Sequence, residues 1–373
     1  MEFLRVDAGQ LRRVGLELFE SVGCSPELAA TVTDVQLEAD LRGMYSHGFR
    51  AIPMYLERVD RGIINSHPDI RIEETGRAAV VVHGDAGPGQ AIAHRAMSEC
   101  IAKAKATGFG LAVARNSNHL GAVGYYANMA VAHDLIGFST TNGNVMLAPP
   151  GSSTPVVGNN PLAWAFPADQ EPPLCFDVAT SIVAGGKIDL AAAQGESIPL
   201  GWGIDAQGNM TSDANAASAG GLALPLGAPL APYKGFGLAL VLEVLAGVLA
   251  GARFGRQHGV EVDGSILPWD EGHFFLAFDP AMVMPIATFK RRMDELIRDV
   301  QAISTDEGGA PARTPGALAV ARRAQALRDG LLLPSSIVHR LQAAIERRGT
   351  RSQIDASVIK NDQSIHAVRQ DQK

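Results

Sequence analysis

Histidine is the side chain that titrates nearest neutrality, and arginine carries a planar, two-pronged donor that fits a carboxylate. The chain sets the two close together in Ser46-His47-Gly48-Phe49-Arg50, beside a serine hydroxyl able to fix the imidazole by a hydrogen bond. A helical segment would bring His47 and Arg50 onto one face. A carboxylate substrate can be clamped there by Arg50 while His47 gives or takes a proton. Alone, the pentapeptide reads better as an exposed turn with an incidental His and Arg.

Further clusters carry chemistry of the same kind. Asn116-Ser117-Asn118-His119-Leu120-Gly121 offers uncharged donors and acceptors, then small residues that let backbone approach a ligand. Gly158-Asn159-Asn160-Pro161 repeats the idea. Asp177 to Ser181 supplies a carboxylate and hydroxyls, Lys187 follows in the next predicted helix, and Lys234 stands at the start of the most apolar segment, where a helix N-terminus favours anions. Each has a plainer reading: Asn-rich turns satisfy their own backbone, Asp177 or Ser181 caps a helix, His119 is a core histidine, and Lys234 is a solvated end.

The standard fingerprints are missing. There is no GxGxxG between a strand and a helix, no Walker A loop, no HExxH helix and no GxSxG elbow. Gly84-Asp85-Ala86-Gly87-Pro88-Gly89 has the wrong spacing for a dinucleotide loop, and its proline removes a backbone N–H that a phosphate would need.

The elements that must position these residues follow from periodicity and punctuation. Asp7 to Leu41 is helical with a break at Gly23-Cys24-Ser25-Pro26, where Ser25 caps a helix begun by Pro26. Pro53 belongs either in a first helical turn or at a kink. Strands are expected at Ile70–Ile72, Ala78–Val82, Gly110–Ala114, Ile136–Thr141, Leu162–Phe166, Leu174–Val178 and Phe274–Phe278. Helices are expected at Gln90–Thr107, Tyr125–His133, Thr180–Ala193 and from Thr288 onward. Gly235 to Ala252 carries Glu243 in its middle and falls short of a span of ~20 residues, which points to a buried core helix rather than a membrane segment. Helical ends around an alternating middle give an α/β chain with a discontinuous helical domain. Its segments are residues 1–74 and 285–349, the mixed-sheet domain is 75–284, and 350–373 is a polar, loosely ordered tail.

The 373 residues suit two domains with a sizeable core. A net charge of -7 gives no counter-charge to nucleic acid or an anionic membrane, so any anionic ligand must meet a local cationic pocket. Cys24, Cys100 and Cys175 are odd in number and widely spaced, which suggests neither disulfides nor a zinc site and fits a reducing, cytoplasmic setting. The first residues lack the pattern of a signal peptide.

In order along the chain, S-H-G-F-R, N-S-N-H-L-G, G-N-N-P-L-A, F-D-V-A-T-S, G-G-K-I and Y-K-G-F-G-L resemble the malate/L-lactate dehydrogenase family of two-domain, non-Rossmann NAD(P)-dependent oxidoreductases. The resemblance covers about Leu4 to Arg348. It implies a homodimer and hydride transfer between a nicotinamide and the carbon beside a carboxylate. His47 would be the acid in reduction and the base in oxidation, Ser46 would orient it, and Arg50, with Asn159 and Lys187, would meet the substrate. His119, Leu120, Gly121, Ala122, Val123, Asp177, Ala179, Thr180 and Lys234 would line the cofactor, NAD or NADP with NAD favoured. His119 competes with His47 for the proton-carrying role; the Ser and Arg neighbours favour His47. The chain departs from the family at Asn159, where threonine is frequent, and at Ala317, where an acid is frequent.

Three readings follow. The first is a dehydrogenase of small malate- or lactate-like 2-hydroxy/2-oxo acids. The second is an NADPH-dependent reductase of cyclic imino acids, which an acid in place of the Lys187 cation would suit better. The third is a catalytically silent ligand-binding dimer, disfavoured because a binder needs no proton donor.

Overall fold

The computed structural model describes residues 2–219, 222–258, 261–262, 265–266, 269–305 and 309–358. Strand β1 (Phe3–Val6) leads into α1 (Ala8–Glu20), whose first turn is closed by Asp7 accepting from the Gln10 N–H. Helix α2 (Pro26–Leu41) starts as its sequence dictates: Ser25 accepts from the Leu28 N–H at 3.2 Å, Pro26 needs no donor partner, and Glu27 meets the positive end of the dipole. Pro53 lies in the first turn of α3 (Ile52–Asp60) and bends nothing.

The next strand, β2 (Arg71–Glu74), was expected to close the first helical segment. It pairs antiparallel with β3 (Ala79–His83) and so belongs to the sheet. Then come α4 (Gly89–Thr107), β4 (Phe109–Ser117), α5 (Val123–Val131), β5 (Ile136–Thr141), β6 (Leu162–Phe166) and β7 (Leu174–Val178). Helix α6 (Gly185–Gln194) begins later than the expected Thr180, because Thr180 is still tied to the sheet by bonds to the Asn159 carbonyl. A small antiparallel sheet follows, β8 (Gly203–Ile204) between β9 (Met210–Thr211) and β10 (Leu222–Ala223), with α7 (Ala214–Ser218) over it. Helix α8 (Pro232–Glu243) runs into a π-helical stretch, Val244–Leu249.

A short hairpin, β11 (Glu261–Val262) and β12 (Ser265–Ile266), precedes β13 (Glu271–Phe278), which enters the middle of the sheet. The seven strands run in the order β2-β3-β4-β13-β5-β6-β7, with β3 and β4 parallel and every other pairing antiparallel. This is a mixed α/β architecture with a mixed sheet. One face buries Val80, Val82, Ala112 and Phe275 against α4 and α5; the other packs Val113, Phe138 and Phe274 against α8. A bulge between Glu271 and His273 turns β13 where it passes the end of β4.

Helix α9 (Ile286–Gln301) joins the sheet side, where Asp294 accepts three backbone N–H groups from Asp169, Gln170 and Glu171. Helix α10 (Ala317–Asp329), β14 (Leu331–Pro334) and α11 (Ser335–Arg348) return to the first helices, so Leu11, Leu18 and Phe49 share one core with Leu333, Ile337 and Leu341. The start of the expected loose tail is ordered: Glu17 accepts the Arg351 and Ser352 N–H groups, and β15 (Ser357–Val358) pairs with β1. The remainder of the tail lies outside the described residues.

The Pro232–Leu249 stretch corrects the expectation of a buried core helix. It is long and apolar enough to cross a membrane by length and composition alone, yet only 33% of it is buried. Leu242 and Ala246 face the sheet, and Glu243 is buried with them because Asn142, Asn160 and the Gly255 N–H all donate to its carboxylate. Val241, Val244, Val248 and Leu249 stay exposed.

Candidate active site

The Ser46 stretch is not helical. It bends between α2 and a 3-10 turn at Phe49–Ala51, and two buried side chains of α2 fix it from below. Asp40 accepts from the Phe49 N–H at 2.7 Å. Gly48 packs so closely on that carboxyl that an added Cβ would overlap it, so only glycine fits. Gln36 donates from its amide nitrogen to the carbonyls of His47 at 2.7 Å and Gly48 at 2.8 Å, and accepts from Gln90 at 2.9 Å. Asp40 is wholly buried with one oxygen unpartnered, and burial pushes its pKa up to about 8.

On this base, the Ser46 hydroxyl and His47 Nδ1 lie 2.7 Å apart. Burial, helped by the Arg50 cation, lowers the His47 pKa below its ordinary value. Arg50 is exposed and reaches over Gly186 in the first turn of α6, where a built Cβ would lie 3.7 Å from its Nη1. Lys187 is the next residue of that turn. His47 and Arg50 share a bend rather than a helix face, and Arg50 reaches the turn of α6 that carries Lys187.

His119 arrives from the far end of β4, and its ring stacks on that of His47 with centroids 5.8 Å apart and 24° between planes. Burial, with His47, Arg58 and His273 as neighbouring cationic groups, pushes its pKa down to about 3. Burial lowers the pKa of both stacked imidazoles, and more so at His119. The Tyr55 hydroxyl lies 2.6 Å from His119 Nδ1. Behind Tyr55, Arg58 stacks on Trp269 at 4.6 Å, and burial pushes the Glu271 carboxyl up to about 8.

The segment after His119 turns at Gly121 through φ 85° into α5. The Leu120 side chain is fully buried in the core and its carbonyl accepts from Tyr126. Ala122 and Val123 are also buried, so this segment can offer a ligand backbone rather than side chains. At its end Asp177 accepts from the Gly124 N–H at 2.9 Å, and burial raises the carboxyl to about 6. Thr180 is buried and donates to the Asn159 carbonyl, while Ala179 is partly exposed. The Ser181 hydroxyl is buried without a hydrogen-bond partner among the described residues. Lys234 is exposed on α8, linked to this strand end through Leu226, which donates to Thr180 and accepts from Gly235.

The residues missed by sequence reasoning are Tyr55, Gln36, Gln90 and Asp40. A signal existed: Thr33, Gln36 and Asp40 interrupt the apolar stripe of α2 at helical spacing, and all three are fully buried.

Residues 6–342 match the family model described as malate/L-lactate dehydrogenase. A malate dehydrogenase of Pyrococcus horikoshii is 35% identical over 305 residues, 80% of this chain and 83% of that protein. Its organism's malate dehydrogenase structure superposes with a TM-score of 0.85 at 31% identity, covering 94% of this chain and 97% of the other. A Delta(1)-pyrroline-2-carboxylate/Delta(1)-piperideine-2-carboxylate reductase of Pseudomonas syringae pv. tomato is 30% identical over 89% of this chain and 92% of its own. The chain belongs to the malate/L-lactate dehydrogenase family. It is an oxidoreductase. The Asn159 carbonyl accepts from Thr180, and its side chain is partly exposed.

Proposed function

We propose that this family member transfers a hydride between a nicotinamide dinucleotide and the α-carbon of a small 2-hydroxy/2-oxo carboxylic acid of malate or lactate type. The observation that carries the reading is the Ser46–His47 bond of 2.7 Å set beside Arg50. It places a proton carrier of depressed pKa next to a carboxylate clamp. Serine holds Nδ1, so Nε2 is the atom that meets the substrate oxygen. Lys187, following Gly186 beneath Arg50, suits a further anionic or hydroxyl group on the substrate, as does the side chain of Asn159.

Bound at His119 to Val123, Asp177, Ala179, Thr180 and Lys234, the dinucleotide would supply the hydride. Asp177, already fixed on one oxygen by Gly124, has its second oxygen for a hydroxyl of the ligand, which supports NAD over NADP. The exposed apolar face of Pro232–Leu249 supports a homodimer, and three buried free thiols suit the reducing cytoplasm. Reduction of a cyclic imino acid is the second reading, because a relative at 30% identity carries that name.

Nicotinamide absorbance tests the proposal. The purified protein is given NADH or NADPH with pyruvate, oxaloacetate, sulfopyruvate, a diketo sugar acid or a cyclic imine carboxylate. Oxidation with an open-chain 2-oxo acid is the expected result; oxidation with the cyclic imine alone, using NADPH, moves the enzyme to the second reading.

A further inference from the structure

The most apolar stretch of the chain buries a carboxylate. Glu243, the last residue of α8, is 4% exposed, and its oxygens meet N–H donors from three separate segments. Oε1 accepts from Asn142 Nδ2 at 3.1 Å and from the Gly255 N–H at 2.7 Å, and Oε2 accepts from Asn160 Nδ2 at 2.6 Å. A carboxylate out of water is costly unless its oxygens are bonded, so Glu243 is held where these donors are.

Neither amide can be turned round. Asn142 Oδ1 accepts from the Gly272 N–H at 2.9 Å, and Asn160 Nδ2 also donates to the Ala239 carbonyl at 3.0 Å. A backbone N–H only donates and a carbonyl only accepts, so both amides must present N–H to Glu243. A glutamine has the same shape, but one end of its amide would set NH2 against a donor. The π-helical turn that follows leaves room for this meeting, since a Cβ on Gly247 would lie 2.8 Å from Asn142 Nδ2.

Asn142 and Asn160 are the two ends of one loop between β5 and β6. It closes on itself where the Leu147 N–H donates to the Val157 carbonyl at 2.9 Å and the Val156 N–H to the Leu147 carbonyl at 3.0 Å. Leu147 and Val157 are buried against Ala239 of α8. On its other side the loop meets α6: Met146 Cε lies 3.4 Å from a Cβ built on Gly185, next to the Gly186 that Arg50 overlies and one residue further from Lys187. Asn159 sits beside Asn160, with its carbonyl on Thr180. One carboxylate therefore fastens both ends of this loop to the helix that carries Lys234 in its first turn.

We propose that Glu243 is a positioning residue that pins the 142–160 loop to α8 and so sets Asn159 and the Met146 side of the loop against the substrate. This rests on the reading of Arg50, Asn159 and Lys187 as the substrate end of the site. Glu243 itself touches no ligand. The other end of α8 is tied separately, through Gly235 and Leu226 to Thr180, and ~14 Å of helix separates Glu243 from Lys234. Loss of the anchor should thus be felt by the substrate and hardly by the dinucleotide.

Hydrogen exchange of the full-length protein without ligand, read by mass spectrometry, tests the anchor in Glu243→Gln. Peptides from 143–159 should exchange ~10-fold or more faster than in the wild type while those of α1 and α11 keep their rates, about the effect of losing one buried hydrogen bond. KM for an open-chain 2-oxo acid should rise by ~10-fold or more, and the dinucleotide Kd should change less than about three-fold. Unchanged loop exchange in a folded Glu243→Gln protein, or equal losses for acid and dinucleotide, overturns the proposal. Asn160→Asp is the second variant, replacing the donor to Oε2 by an acceptor, and it should move the same peptides and the same KM; where Glu243→Gln does not fold, it decides alone. A loosened loop in a variant whose parent turns over none of the acids supports the anchor and overturns the reading of the reaction, so the two failures are distinguishable.

Discussion

His47 and His119 present stacked rings 5.8 Å apart, yet their surroundings differ. His47 has a serine on Nδ1 and an exposed arginine nearby, whereas His119 has a buried phenol and a pKa pushed down to about 3. His47→Ala should therefore lower kcat by roughly 10²–10⁴, the range for removing a general acid or base. Dinucleotide affinity, measured by fluorescence titration, should stay near that of the wild type. Unchanged turnover would remove His47 from the acid–base role.

The depressed His47 pKa sets the pH dependence. Reduction needs the protonated ring, so its kcat/KM should be highest on the acid side and fall as pH rises through a value below 6.5; oxidation needs the neutral ring and should rise through the same value. Burial is the larger cause and Arg50 the second. Arg50→Gln removes only the second, so the limb should move toward higher pH and KM for the 2-oxo acid should rise. A limb that stays in place in both directions would show that the titrating group is not His47.

Gly124 gives a route to the cofactor side that leaves the proton carrier untouched. A Cβ at Gly124 would stand 2.5 Å from Asp177 Oδ2, where the carboxylate accepts the N–H that opens α5. Gly124→Ala should displace Asp177 and raise the dinucleotide Kd by ~10-fold or more, about the worth of one charge-assisted hydrogen bond. An Asp177→Asn variant keeps an acceptor for the Gly124 N–H and should lose less. Equal Kd values for wild type and Gly124→Ala would take Asp177 out of the cofactor wall.

Much of this arrangement is legible in the sequence. Ser25-Pro26 marks the start of α2 because capping chemistry is local, and β5, β6 and β7 match their expected spans because apolar strands bounded by Gly, Pro and Asp leave little choice. The motif residues His47, Arg50, Lys187 and His119 are visible as residue types. What is not visible is partnership across long separations. Tyr55 looks like a core aromatic until His119 arrives 64 residues later, and Gln36 looks like a defect in an apolar stripe until the His47 and Gly48 carbonyls fold onto it. Strand β2 falls on the wrong side of the expected boundary at residue 74 because pairing with β3, not composition, assigns it to the sheet.

The exposed face of Pro232–Leu249 predicts a subunit contact. Val241, Val244 and Val248 are 55%, 52% and 51% exposed, a row of large apolar side chains that a lone chain leaves in water. Val241→Glu combined with Val248→Glu should convert a dimer to a monomer in sedimentation velocity, because a paired interface would then bury charges without partners. Identical sedimentation of the two proteins would place the contact elsewhere.

Asp40 predicts a stability effect whose sign is fixed by its burial. Its native carboxyl keeps a proton up to about 8, while the unfolded chain releases it near 3.8. The native state thus binds the proton more tightly, and the stability this contributes is complete below the lower value and lost as pH rises through the higher one. Asp40→Asn retains an acceptor for the Phe49 N–H and cannot ionise. Near pH 5 its thermal midpoint should lie close to the wild type's, and by pH 9 it should lie above it, by ~2–4 °C for each kcal/mol recovered. Glu271 and Asp177, raised to about 8 and about 6, keep some pH dependence in both proteins, so the difference between the curves isolates Asp40. Parallel curves from pH 5 to pH 9 would mean that the carboxyl beneath Gly48 is already ionised, with the His47 loop resting on a charge rather than on a neutral acid.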